Sequence, residues 1–237
     1  MEKPRMMTGA ATIALAVGFN VPYAVLAATY DYPNVLRRPA GEALDMFAAG
    51  GANLILTWHG FALSALMLAP LAMALALTPK AIEKRPGLAI GAAIAGSLAG
   101  LAQAIGLWRW VFVVPSLART HADPSADPAA KRAAEQTFEL INQYGGVAIG
   151  EHLGQLLTAL FVLLLSAVQW REAKRVSATI GYATAASILV GTGEGLALAL
   201  GQSGEAFSLA TIAGFLGLTI WLIATGVGLM RAPSKRA

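Results

Sequence analysis

The sequence predicts an all-α protein, a polytopic bundle of six membrane-crossing helices with both termini cytoplasmic, and three observations predict it. Of 237 residues, 57% are hydrophobic and only 13% charged, with a mean hydropathy of +0.62. A soluble domain keeps roughly 25% charged residues on its wetted surface, so half that share leaves too few to cover a globule. Apolar stretches of about 20 residues or more recur along the chain, enough to cross roughly 30 Å of hydrocarbon at 1.5 Å per residue. Finally, two-residue alternation is absent and Ala, Leu and Gly outnumber β-branched residues, which argues for helices and against a barrel of strands.

The first span is placed at Thr8–Ala28, after Lys3 and Arg5. Its Val25-Leu26-Ala27 also resembles the cleavage site of a secretory signal covering residues 1–27, but the apolar run is long for that and contains Asn20 and Pro22. The second span is Ala52–Leu77, preceded by a short outer helix over Glu42–Ala48, and the third is Gly87–Val114. The polar stretch from Ser116 to Asn142 comes next. There Asp127 supplies an N-cap and Pro128 a first-turn proline, with Ala134, Phe138 and Ile141 at helical spacing, so residues 127–142 form an amphipathic surface helix. It leads into the fourth span, Tyr144–Val168, which is followed by Val176–Leu200 and Ala206–Met230. Neither outer segment is large enough to fold alone, so residues 1–237 are read as one domain.

Orientation follows from Lys and Arg in the connections. One set is compact and basic: Lys3 and Arg5, then Lys80, Lys84 and Arg85, then Arg171, Lys174 and Arg175, then Arg231, Lys235 and Arg236. The other set is longer and of mixed charge, from Arg37 and Arg38 beside Glu42 and Asp45 to Arg119, Asp123, Asp127, Lys131, Arg132 and Glu135. The net charge of +4 sits in orienting runs rather than in a patch, so the partner is the lipid bilayer and not nucleic acid. With no cysteine, disulfides, thiolate metal sites, iron–sulfur clusters and covalently attached haem are excluded. Trp58, Trp108 and Trp110 on the outer side and Trp170 on the inner side read as interfacial anchors, whereas Trp221 falls within its span.

Small residues recur at four-residue steps, as Gly146, Gly150 and Gly154 and as Ala92, Gly96 and Gly100, the pattern of close helix contacts within the bundle or of a homo-oligomer face. Ionisable side chains inside a span cost about 2.5–3.5 kcal/mol each on insertion scales, so each needs a partner or a role. Here they are His59, Arg109, Glu151, His152 and Glu194, and counting from the basic turns puts them near one height in the outer leaflet. Asn20 and Asn142 extend that layer, while His121 reads as solvated. Arg109 has two plainer readings, snorkelling to headgroups or pairing with Glu151 or Glu194.

Several chemistries suit the layer. His59 and His152, facing each other across a porphyrin with Arg109 at a propionate, would hold haem b. Brought closer, His59, His152, Glu151 and Glu194 would suit zinc or non-haem iron acting on a lipid-soluble small molecule. Buried His and Glu would also serve a small-solute or proton-coupled transporter. In a sensor or structural subunit the layer would only fix helix register.

The run Asn142-Gln143-Tyr144-Gly145-Gly146-Val147-Ala148-Ile149-Gly150-Glu151-His152-Leu153-Gly154-Gln155 is preceded by Trp110, Pro115 and the Asp-Pro loop. In these features the chain resembles a bacterial multi-helix membrane family catalogued only as a domain of unknown function. The resemblance implies a multi-pass protein of the bacterial cytoplasmic membrane and assigns no reaction.

Overall fold

The computed structural model describes residues 2–231, with side chains from residue 5 onward. Lys235 and Arg236 lie outside the described residues, as does the side chain of Lys3. The helices are α1 (Glu2–Tyr30), α2 (Ala40–Ala76), α3 (Pro79–Lys84), α4 (Pro86–Phe112), α5 (Val114–Ala122), α6 (Pro128–Ile141), α7 (Gly154–Arg171), α8 (Arg175–Gly191), α9 (Gly193–Ala199) and α10 (Glu205–Arg231). A short 3-10 turn, Asn34–Arg37, joins α1 to α2, and a π-helix, Asn142–Leu153, joins α6 to α7. Among the described residues six helical segments are long and apolar enough to cross a membrane.

The spans pack in chain order, α1 on α2, α2 on α4, α4 on α7, α7 on α8 and α8 on α10, and α10 returns to α1 to close a ring. Short connections favour such antiparallel neighbours, and α4 and α7 keep the same order across the longer stretch that holds α5, α6 and the π-helix. Residues with small side chains set the spacing. A Cβ added at Gly100 would lie 2.7 Å from the Ala65 carbonyl oxygen, and one at Gly106 would lie 2.6 Å from the Gly150 Cα. The stripes read from the sequence are therefore contact faces inside the bundle.

Most ends match their chemical signals. Thr78 accepts from the Ala81 N–H at the start of α3, and Asp127 accepts from Ala129 N–H at 2.9 Å at the start of α6. The outer helix expected over Glu42–Ala48 is the first part of α2, which breaks at Gly51, where φ is +60°. That left-handed backbone suits glycine, which has no Cβ to clash. The outer stretch after α4 forms two helices, α5 and α6, which pack on each other and on α2.

Two apolar clusters fill the ring. One, with Leu68, Ala92, Phe161, Leu165 and Trp221, lies toward the end that carries the basic turns. The other, with Tyr30, Leu44, Trp58, Trp110 and Phe138, lies toward the far end. Trp58 and Trp110 are thus not interfacial anchors. Both are fully buried and stack with centroids 5.0 Å apart at 9°, because six aromatic rings from α1, α2, α4 and α6 meet there. Trp170 is exposed at the basic end, with the Arg175 guanidinium 4.0 Å from its ring centre.

Candidate functional site

Between the two clusters lies a cavity of about 630 Å³. Its walls come from α1, α2, α4, the π-helix, the first turn of α7, α9 and α10, and the 3-10 turn lies over it. Phe19, Tyr23, Tyr32, Trp58, Phe61 and Trp110 supply an aromatic side. The polar side holds Arg37, Arg109, Glu151, Glu194, Gln103 and Gln155. An apolar pocket with a few converging polar groups is the usual form of a small-molecule site.

The two carboxylates share one cation. Arg37 Nη2 donates to Glu151 Oε2 at 2.6 Å and to Glu194 Oε1 at 3.1 Å. Burial works against the charge on Arg37, but Glu151 and Glu194 outweigh it and hold the guanidinium above its ordinary value. Burial, followed by the charge of Glu151, pushes the Tyr32 phenol up, which keeps its hydroxyl protonated. Asn142 ties the turn down from the other side: its Nδ2 donates to the Leu36 carbonyl at 3.3 Å.

Arg109 is 6% exposed. Its Nη2 donates to Asn142 Oδ1 at 2.9 Å and its Nη1 to the Gly106 carbonyl, and its guanidinium carbon lies 5.1 Å from the Trp110 ring centre. A Cβ at position 146 would lie 2.6 Å from that guanidinium, so Gly146 makes the seat in which the charge is buried. Arg109 therefore neither snorkels to the surface nor pairs with Glu151 or Glu194, which Arg37 holds instead. Its Nε and Glu151 Oε1 are buried without a hydrogen-bond partner.

Gln155 is 7% exposed, lines the cavity and makes no hydrogen bond among the described residues. Its position follows from the π-helix. With i→i+5 bonding each turn takes more residues than in an α-helix, so positions four and five apart share a face. Gly146, Gly150, Glu151 and Gln155 accordingly all line the cavity. A rotation of about 100° per residue, the α-helical value, places the glycines opposite Glu151 and Gln155. The Gly-Gly pair and Gly150 mark this segment, since such departures from α-geometry favour residues that permit close backbone approach.

The sequence-derived layer divides in two. Arg109, Glu151 and Glu194 meet at the cavity, with Asn142 bound to Arg109 and Asn20 in the wall. His59 and His152 are not among the residues that line it. His59 Nδ1 accepts from Trp108 Nε1 at 3.4 Å, and its ring lies 6.5 Å from Phe112, which is 70% exposed. His152 Nδ1 lies 3.1 Å from the Thr192 carbonyl oxygen, at the junction of α8 and α9. Among the described residues no three His, Asp or Glu side chains form a group able to hold a metal ion, so His59, His152, Glu151 and Glu194 are not assembled as a ligand set. His121 is not solvated either. Its Nδ1 lies 2.7 Å from Asp45 and its Nε2 2.8 Å from Glu135, with the side chain 12% exposed, and this bridge ties α5 to α2 and α6.

Sequence reasoning left Arg37 among the loop charges. A signal was present: two carboxylates and one arginine inside the spans leave one negative charge over, and the outer connections offer Arg37, Arg38, Arg119, Lys131 and Arg132 as its partner. Arg38 is bound to Asp31 at 2.6 Å and to Glu42.

Compared with known proteins, the chain matches the sequence model of one family, described as a domain of unknown function (DUF4386), over residues 7–226. No curated protein and no solved structure matches it.

Proposed function

The chain belongs to the DUF4386 family, and from its cavity we propose that it binds a small, uncharged, lipid-soluble amphiphile inside the membrane. The observation that carries this reading is a largely apolar chamber lined by polar groups without a partner among the described residues: the buried indole N–H groups of Trp58 and Trp110, and the Gln155 amide, which opens onto the chamber. Leaving a buried indole N–H unsatisfied costs about 1–3 kcal/mol, which a ligand carbonyl or hydroxyl would recover, and Gln155 offers that ligand a further donor and acceptor. Charge selects the ligand class. Arg37 and Arg109 balance Glu151 and Glu194 within the chamber, so a charged headgroup would enter without a counter-ion, at the expense of its hydration. The remaining lining acid, Glu205, is exposed at the start of α10. The aromatic side suits a flat or chain-like apolar body.

Haem or metal binding draws on His59 and His152, and both are engaged outside this chamber, so hydrogen bonding is the chemistry the chamber supports. By the positive-inside rule the basic end faces the cytoplasm, which puts the chamber in the outer leaflet of a bacterial cytoplasmic membrane.

Trp58 and Trp110 line the chamber and report on it. The test compares quenching of tryptophan fluorescence by ω-bromoundecanol, ω-bromoundecanoate and ω-bromoundecyl-trimethylammonium in detergent. Saturable quenching by the alcohol, weakened by Gln155→Leu, is expected. Non-saturable quenching by all three, or equal saturation by the ions, would refute the reading.

A further inference from the structure

The wall of the chamber is not closed all round. α1 and α10 are in tight contact toward the basic end, where a Cβ on Gly9 would lie 2.7 Å from the Gly226 carbonyl oxygen and one on Gly226 would lie 2.6 Å from the Gly9 carbonyl oxygen. Farther along, Asn20 Nδ2 donates to Thr219 Oγ1 at 2.9 Å. Beyond that bond the facing residues are Tyr23 on α1 and Leu216 and Ile212 on α10. All three line the chamber, yet they are 38%, 57% and 45% exposed. A residue that both lines a chamber and is exposed stands at its mouth.

That mouth faces lipid rather than water. Leu216 is 15 positions from Arg231 and Ile212 is 19, which puts them about 22 and 28 Å along α10 from its basic end, within a hydrocarbon layer of roughly 30 Å. The water-facing end is narrowed rather than sealed: Pro33, Asn34, Arg37, Ser203 and Glu205 line the chamber there and are exposed, and the polar side chains at this opening offer an apolar body no favourable path. The 3-10 turn Asn34–Arg37 lies over the chamber, fastened by Arg37 to Glu151 and Glu194 and by Asn142 to the Leu36 carbonyl.

We propose that the chamber is loaded sideways from the bilayer, through a portal between α1 and α10 above the Asn20–Thr219 bond, by an amphiphile dissolved in the membrane. This rests on the ligand class argued above. The apolar body passes between Tyr23 and Leu216 while the headgroup travels inward to Gln155, so no charged group need leave its partner on entry. The Arg37 fastening stays shut throughout.

The chain has no native cysteine, so single introduced thiols report the route cleanly. Gln155→Cys in the chamber, with Leu107→Cys on the α4 wall as a second reporter, is reconstituted in liposomes. Each is treated with N-dodecylmaleimide, which its chain concentrates in the bilayer, or with a charged methanethiosulfonate confined to water. The lipid reagent is expected to label both sites, and Leu216→Trp across the portal to slow that labelling about tenfold, close to 1.4 kcal/mol of barrier. Labelling by the aqueous reagent at the same rate, or an unchanged rate in the Leu216→Trp background, would overturn the proposal. The two readings fail separately. An aqueous route leaves saturable binding of bromoundecanol intact, and loss of that binding leaves the labelling route unchanged.

Discussion

Arg37 is the residue on which the site's charge depends, because Glu151 and Glu194 come from distant parts of the chain and meet only at its guanidinium. Replacing it by alanine leaves two carboxylates facing each other with no cation between them. Removing one partner of a fully buried pair costs about 3–5 kcal/mol, but these side chains are 21–31% exposed and solvent screens part of that, so about 1–3 kcal/mol is expected for Arg37→Ala. The check is thermal unfolding in detergent, with Arg37→Ala/Glu151→Gln as the second variant. Neutralising one carboxylate should restore part of the lost melting temperature. If the double variant melts lower than the single one, repulsion is not the cause. Arg109 behaves differently, since its bonds go to the neutral acceptors Asn142 and Gly106 and its charge is compensated only at longer range.

The π-helix sets which residues see the cavity, and its packing against α4 is the tightest constraint on it. Gly106 and Gly150 meet backbone to backbone, so neither has a flexible neighbour that can yield. Gly106→Ala is therefore expected to cost about 1–3 kcal/mol as an overpacked contact, although alanine favours helix over glycine by about 1 kcal/mol. Gly60→Ala, where nothing lies within 4 Å of an added Cβ, should be neutral or stabilising in the same unfolding assay. Equal effects at the two sites would mean that propensity and not contact decides. This contrast also marks what the sequence made legible. Apolar length and Lys/Arg placement locate all six spans, since the bilayer imposes a period and a polarity that composition alone reveals. Asp127, Pro128 and the glycine stripes read correctly because their physics is local. The π-segment did not, because its register depends on the Gly106 contact made across the bundle. The partnership of His59 and His152 failed for a related reason: matched height says nothing about azimuth, and their rings meet Trp108 and the Thr192 carbonyl instead. Arg37 was hidden because a loop's position over a bundle is set by closure of the ring, not by its own residues.

At the scale of the molecule, an even number of spans in ring order puts both ends of the described chain on one side, together with the turn holding Lys80, Lys84 and Arg85 and that holding Arg171, Lys174 and Arg175. The opposite side holds α5, α6 and the 3-10 turn, which carry Asp123 and Asp127 as well as arginines. Positive charge near span ends is retained on the cytoplasmic side during insertion, whereas acidic residues contribute little, and this contrast is the ground for proposing that the basic end is cytoplasmic. Single cysteines test it directly. Asp123→Cys, in the turn between α5 and α6, is expected to react with an impermeant thiol reagent applied to intact spheroplasts, and Lys84→Cys only after the membrane is opened. The reverse pattern would invert the topology and move the chamber to the inner leaflet, with the Arg37 fastening toward the cytoplasm. It would leave the portal between α1 and α10 where it is, because that gap is fixed by the Gly9–Gly226 contact and the Asn20–Thr219 bond and not by which side the chain faces.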